Sequence, residues 1–523
     1  MATTATRTNY WFIKTTSNTT PVFNFKFVVE IYIAGIKKAT LVQPKNNAGS
    51  AHFNLERVVK NYINVTNKKS QPTPTGSPAI TYSDVHLIPR NKPTVTSAGV
   101  INDYLYSDNE GTIRSVNLKF FEDFSSTAGG TITRNASGQA DINIVYINYA
   151  NDWHDQLTFD VNKFVFSAAS SDSKFLTTLP TVDYNNNRLY HDVGAGEFRT
   201  FAALNATELG TEDFGVVYKF FINEPLADYS NYRATLSYIS SGLTISAASD
   251  ESKALKFFAA GYENVSKILV QDQGDAELIP VDNYYTIQAV RQTGTFTSAD
   301  AIDVKTGDLA MISGVGTTDF TLHGAPDNNI GTVFYATSPC TGTGTVLIVV
   351  YPARSKVYCF KINHDCNKFT SSKTTRTICW KNKYGVWDYH LFDTKITESD
   401  RTKRSIEYTK NPGSWNSADY NINTFERGKV QRVEGMHSFT ASTRFLNEAY
   451  NDYFRGLVMS NDIKMIIKKE VIEGQIDGEN IQDEYVLPLI MTSSNMNYKT
   501  VLNDDLIQYN FNFELAHDLK QFI

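Results

Sequence analysis

At 523 residues the chain is longer than one hydrophobic core usually serves, so several compact units in series are expected. An apolar share of 41%, an aromatic share of 13% and a charged share of 20% exclude a disordered chain and lean toward strands. A net charge of −6, with Lys and Arg spread among Asp and Glu, marks no basic field, so neither nucleic acid nor an anionic membrane surface is expected as a partner.

The first residues lack an apolar core followed by a small-residue cleavage site, and Sec export is not expected. The longest apolar run, residues 346–351, is far short of the roughly 18 to 20 residues that a bilayer-spanning helix needs. It reads as a buried strand, and no membrane span is expected.

In residues 22–33, Phe23, Phe25, Phe27, Val29, Ile31 and Ile33 fall on one face, the period-2 pattern of a half-buried strand. Ala34-Gly35 turns it, residues 36–42 return antiparallel, and Asn46-Asn47-Ala48-Gly49 makes the next turn. A short helix follows, capped by Asn54, with Leu55, Val58, Val59, Tyr62 and Ile63 at helical spacing. Residues 71–78, rich in Pro, form a surface loop. Strand alternation resumes in residues 112–120, with a slip near Ser115 that predicts a bulge. The Gly-, Ser- and Thr-rich residues 125–140 read as a long hairpin tip leading to a strand at 142–149.

Trp153-His154-Asp155 fits a loop anchored by an aromatic better than an acid-base site. The apolar cluster Phe175-Leu176-Thr177-Thr178-Leu179-Pro180 precedes a polar crossing between sheets. Further strands are expected at 216–222, 233–239, 243–246, 267–271, 284–290, 346–351 and 356–362, the spacing of sandwiches. Arg401 to Arg404 reads as a solvated turn. One long helix is expected over 443–457, with Phe445, Leu446, Ala449, Tyr453 and Leu457 as its stripe and Ser442 as cap. Strands at 463–467, 485–490 and 506–513 supply the sheet it packs on.

The densest aromatic stretch is 379–393, where Trp380, Tyr384, Trp387, Tyr389 and Phe392 surround Gly385. It reads as a hairpin with a tight reversal at the glycine, whose φ should be positive. Asp388 and His390 share a strand face, the minimum for a base oriented by a carboxylate, yet no nucleophile elbow accompanies them. Trp380, Tyr384, Gly385, Trp387 and Asp388 are therefore structural or interface candidates, with Trp387 buried and Asp388 flanking a turn. The four cysteines, Cys340, Cys359, Cys366 and Cys379, lie in one segment with His364 but without a C-x-x-C, so buried thiols are expected over a metal site or a disulfide. Phosphate-binding, zinc-protease and nucleophile-elbow motifs are absent, and adjacent carboxylates such as Glu122/Asp123 or Asp152/Asp155 are too common to indicate a glycosidase. No enzyme activity, cofactor or metal is expected.

Three stretches resemble proteins of tailed-bacteriophage virions. Residues 361–366 and 379–392, ending Trp380-Lys-Asn-Lys-Tyr-Gly-Val-Trp-Asp-Tyr-His-Leu-Phe392, are similar to a W-x-N-x-x-G-x-[WF]-D-x-[FH]-x-F pattern of structural proteins in phages of Bacteroidota and marine hosts. Lys174-Phe-Leu-Thr-Thr-Leu-Pro180 resembles an earlier K-F-L-T-x-x-P element of the same proteins. Residues 304–345, around Gly316-Thr-Thr-Asp-Phe-Thr321, resemble a small β module found inserted in phage structural and tail proteins.

The expected fold is mainly β, with several β-sandwich-like domains in series and one amphipathic helix near the C-terminus. The domains would be an N-terminal β domain (1–170), a middle β domain (171–300), the inserted module (301–346) and a C-terminal α+β domain (347–523). The resemblance implies a virion component of the tail tip or baseplate, made in the host bacterial cytoplasm, forming a homo-oligomer and contacting other virion proteins. A neck or collar ring, or adhesion to a host-surface glycan or receptor, are the alternatives it leaves.

Overall fold

A computed structural model describes residues 2–5, 11–15, 22–33, 35–59, 61–62, 106–109, 113–136, 141–147, 163–168, 171–183, 185–194, 197, 199–204, 214–221, 232–237, 255–262, 265, 284–291, 295–304, 308–350, 352–363, 376–394, 396–407, 429–468, 484–493, 506–516 and 519–520. The protein is mainly β, with a helix near the C-terminus. The chain divides into two compact units. The first comprises Met1–Asn367, Lys381–Asp388 and Asp477–Ile481; the second comprises Lys368–Trp380, Tyr389–Ile476 and Gln482–Ile523.

In the first unit, Phe23–Ile33 is the second-to-last strand of a six-stranded sheet. It pairs antiparallel with Ile36–Pro44 on one side and with Ile113–Ser125 on the other. From Phe25 onward its periodic face works as the sequence dictates: Phe25, Phe27, Val29, Ile31 and Ile33 are buried, with Val116, Leu118 and Phe120 beside them, whereas Phe23, expected on the same face, is exposed beyond a register shift between Phe23 and Lys26. The pair Trp11–Thr15 and Ser50–Asn54 and the helical turn Glu56–Val59 add Ala51, Phe53, Leu55 and Val59 to the same core. The reversal at residues 46–49 is held by Asn46, whose Oδ1 accepts from the backbone N–H of Ala48 at 3.0 Å and of Ser50 at 2.9 Å, and Gly49 takes φ 75°.

Several local expectations need correction here. There is no bulge at Ser115, because Ile113 through Leu118 pair in unbroken register with Ile147 through Ile142. The helix after Asn54 is a single turn, and Ile63 lies outside the described residues. Within the expected hairpin tip, Thr133–Ala136 forms a further strand on Ile113–Ser125. The expected loops at 71–78 and 153–155, and the strands at 243–246 and 267–271, lie outside the described residues.

The next part of this unit is a sandwich. Its larger sheet runs in the order Tyr190–Gly194, Tyr358–Asn363, Tyr284–Arg291, Phe214–Phe221, Tyr232–Ser237, and its smaller one Thr200–Leu204, Leu255–Ala259, Tyr106–Asn109. Aromatic rings close the space between the sheets: Phe201 meets Tyr358 at 5.0 Å and Phe214 meets Phe258 at 5.9 Å. Phe175, from the irregular segment before the first of these strands, reaches Phe201 at 5.3 Å and Tyr358 at 5.7 Å.

The small module is a four-stranded sheet, Thr295–Asp300, Thr345–Val350, Leu309–Gly314, Val333–Tyr335, with its own core around Phe320, Phe334 and Val346. It sits between two neighbouring antiparallel strands of the sandwich, Tyr284–Arg291 and Tyr358–Asn363. The module therefore extends past 301–346 on both sides. Tyr358–Asn363, placed by the sequence in a C-terminal domain, belongs to the sandwich, and so does Tyr106–Asn109, which the sequence placed in the N-terminal one.

The eight-stranded sheet runs Trp387–Phe392, Arg376–Lys381, Ile463–Lys468, Glu484–Met491, Asn510–Leu515, Lys429–Ser442, Thr397–Glu407, with Leu519–Lys520 pairing Lys429–Ser442. Arg401 to Arg404 is not a turn but the middle of its edge strand, exposed along 397–404. With solvent on both sides the strand carries no apolar alternation, and its charges protect an open edge. The helix starts later than expected: Asn447 caps it, accepting from the Ala449 N–H at 2.9 Å, and the helical run is Glu448–Tyr450 followed by Asn451–Val458. Phe445 lies outside it and is exposed, whereas Tyr453, Phe454 and Leu457 are buried.

Candidate functional site

The aromatic stretch is the expected hairpin. Strands Arg376–Lys381 and Trp387–Phe392 flank a turn in which Asn382 N–H donates to the Val386 carbonyl at 2.8 Å and Gly385 N–H to the Asn382 carbonyl at 2.9 Å. Gly385 takes φ 79°, the left-handed conformation that favours glycine. The side chain of Asn382 organises the reversal. Its Oδ1 accepts from Tyr384 N–H at 2.9 Å and Val386 N–H at 3.3 Å, while its Nδ2 donates to the Leu176 carbonyl at 3.0 Å.

Asp388 does not decorate a turn. It is a strand residue, 2% exposed, and its carboxylate is taken by the segment at 177–178. Oδ1 accepts from the Thr177 hydroxyl at 2.5 Å; Oδ2 accepts from the Thr178 hydroxyl at 2.5 Å and the Thr178 backbone N–H at 3.2 Å. Burial pushes its carboxyl above the usual range, and the bonds from Thr177, Thr178 and Asn382 pull the other way. The same burial, together with the Asp388 carboxylate, raises the Tyr358 phenol. Thr177 Oγ1 also accepts from Leu179 N–H at 3.1 Å, so the clasp fixes the backbone of the Thr-Thr segment as well.

The other expected site residues divide between the two units. Tyr384 and Trp387 are buried in the first, Tyr384 against Phe164 at 4.8 Å and Trp387 beneath the ammonium of Lys381 at 5.6 Å. Trp380 is buried in the second, meeting Tyr453 at 4.9 Å and Phe454 at 6.3 Å. Its burial leaves Trp387 no open face for stacking on a sugar, the contact that adhesion to a host-surface glycan would need. His390 shares the strand with Asp388 but packs its ring on Phe392 and Phe454, each at 4.9 Å. Asp388 is thus engaged by hydroxyls in the first unit, and His390 by aromatic rings in the second.

The polar partners that make the joint, Thr177, Thr178 and Asn382, were not singled out as site residues by the sequence. An Asn three residues before the turn glycine was a usable signal for the Asx turn. Nothing local announces a Thr-Thr pair as donors to a carboxylate 211 residues away.

Elsewhere, Cys340, Cys359 and Cys379 are free, buried thiols. Burial pushes Cys340 up to about 11 and Cys359 up to about 12, and raises Cys379 as well. Among the described residues, no group of three His, Cys, Asp or Glu is arranged to hold a metal ion. Of the adjacent carboxylates, Asp123 is bound by Arg134 at 3.0 and 3.2 Å, and Arg134 also reaches the buried Glu30 at 3.0 Å. No helix among the described residues is long and apolar enough to cross a membrane.

Comparison with known proteins places these features in no group: no protein-family model, no curated protein and no solved structure matches the chain. What the fold defines is a mainly β protein of several sheets.

Proposed function

We propose that this chain is a non-enzymatic structural component of a tailed-bacteriophage particle, built into the tail tip or baseplate through contacts with other virion proteins and with copies of itself. The observation that supports this reading is the joint between the Trp380–Phe392 and Lys174–Pro180 stretches, two of those that carry the resemblance. In the first unit, Asn382 reaches the Leu176 carbonyl and Asp388 takes the hydroxyls of Thr177 and Thr178. Leu176, Thr177, Asn382 and Asp388 fall at positions that the two patterns fix, and Thr178 at a free one, so the shared residues serve architecture, as residues of a particle component would. The third stretch forms a small four-stranded sheet with its own core, inserted between neighbouring strands, the way a module is added without disturbing its host.

Mass spectrometry of intact, purified particles from a host carrying the gene tests the reading. The expected result is this polypeptide at a stoichiometric level relative to the major tail proteins. Its absence from particles that are complete and infectious overturns the proposal.

A further inference from the structure

The six-stranded sheet of the first unit ends on Ile36–Pro44, which pairs with Phe23–Ile33 on one side and with no strand on the other among the described residues. Such an edge turns a row of backbone N–H and C=O groups outward, a template for any strand that can meet it. On the edge strand Thr397–Glu407 the exposed charges of Glu398, Asp400, Arg401, Lys403 and Arg404 guard that row. Residues 39–44, Ala-Thr-Leu-Val-Gln-Pro, carry no charge at all. The lysines just before them are engaged elsewhere: Lys37 Nζ is bonded to the Glu30 carboxylate, and Lys38 Nζ lies over the Tyr62 ring at 5.4 Å.

The uncharged stretch has defined ends. Ile31 stands opposite Ala39 and Tyr32 opposite Lys37, so Lys38 is a bulged residue, and at the other end Pro44 has no N–H to donate. Between these stops, Ala39 and Leu41 pack against the core of the sheet from positions opposite Ile31 and Val29. Thr40 and Val42 stand on the other face and are exposed, Val42 at 48%.

We propose that residues 39–43 are a contact between two copies of this chain, which pair antiparallel through this edge and continue the sheet across a two-fold axis. Symmetry restricts what can face what. An axis normal to the sheet keeps every side chain on its own face, so one residue must stand opposite its own copy. With Leu41 in that place, Ala39 faces Gln43 and Thr40 faces Val42, and every residue of the stretch meets an uncharged partner. The two Leu41 side chains then meet where each already lies against its own core, so the apolar layer runs on from one copy into the next. Centring the pair on Thr40 instead sets Lys38 against Val42, and centring it on Val42 sets Thr40 against Pro44. A second copy brings an edge with the same stops and the same absence of charge, a match that a strand of arbitrary sequence lacks. The inference rests on the self-contact in the functional reading above and not on the virion, so solution mass and particle mass spectrometry fail separately.

Sedimentation velocity of the full chain tests it. The ladder is short, so a dissociation constant of about 10 µM is expected, and the parent should run as two chains at about 100 µM. Thr40→Lys with Val42→Lys sets like charges face to face at both crossings and should weaken pairing by about tenfold or more. Thr40→Lys with Val42→Glu sets opposite charges at the same crossings and should restore the dimer. Both positions are exposed and Thr40 lies opposite Glu30, so the near-ultraviolet circular dichroism should match the parent. Should the two-lysine variant not fold, Val42→Lys alone decides, with an expected loss of about threefold. A parent that runs as one chain, its edge left to a strand of some other protein, overturns the proposal. So does a folded two-lysine variant that pairs as the parent does, or a Lys and Glu variant that stays monomeric.

Discussion

The carboxylate of Asp388 accepts the hydroxyl hydrogen of Thr177 at 2.5 Å, joining a hairpin strand to a segment 211 residues earlier in the chain. Thr178 completes the clasp with its hydroxyl and its backbone N–H. Removing the acceptor leaves the buried Thr177 hydroxyl and the half-buried Thr178 hydroxyl and N–H without it, and an unsatisfied buried donor costs about 1 to 3 kcal/mol. Asp388→Ala should therefore lower the stability of the first unit by about 3 kcal/mol or more, read as a shift in urea midpoint. A midpoint within error of the parent contradicts the clasp.

The same carboxylate makes stability depend on pH with a defined sign. Its folded pKa is raised above the unfolded value, so its contribution is fully present below the unfolded value of 3.8 and is lost as pH rises through the raised folded value. Asp388→Asn removes this term. The parent should gain stability relative to that variant as pH falls from neutrality toward about 4, in urea midpoints taken across the range. A difference that is flat, or that grows with rising pH, contradicts the assignment.

Trp387 and Trp380 sit six positions past and one position before the cut that separates the two units at Lys381. Each is buried, so truncation to Ala should cost about 3 to 5 kcal/mol, enough to unfold a marginal domain. Trp387→Ala should destabilise the first unit and Trp380→Ala the second, distinguished by where limited proteolysis first cuts. A Trp387→Ala protein that melts like the parent sinks the buried-hairpin account.

The small module should be dispensable for the sandwich that carries it. Tyr284 through Ile287 pair with Lys361 through Tyr358, and Arg291 N–H donates to the Pro352 carbonyl at 2.8 Å, so the chain ends left by removal are already adjacent. Replacing residues 292–351 by a short Asn-Gly turn should give a soluble protein whose melting temperature moves by only about 2 to 4 °C. Loss of the near-ultraviolet signal of the remaining aromatic core contradicts the insertion topology.

The parts legible in the sequence were those written in local pattern. Phe25 through Ile33 alternate, Asn46 to Gly49 spells a turn, and Gly385 among aromatic arms announces a left-handed residue, all borne out. Arg401 to Arg404 misled because an edge strand exposed on both faces has no alternation to read. Sandwich membership of Tyr106–Asn109 and Tyr358–Asn363 is decided by partners far away in the chain, and composition is silent on it. The joint was half legible: Trp387 and Asp388 stood out by type, while the role of Asp388 depended on Thr177 and Thr178, which no spacing rule connects to it.

The most direct test of the account is a thermodynamic double-mutant cycle between Asp388→Ala and Thr177→Val, measured by urea unfolding at neutral pH. The clasp predicts that the double variant is less destabilised than the sum of the single ones, with a coupling of about 1 to 3 kcal/mol. Additivity within about 0.5 kcal/mol would mean that the two side chains do not depend on each other, and would contradict it.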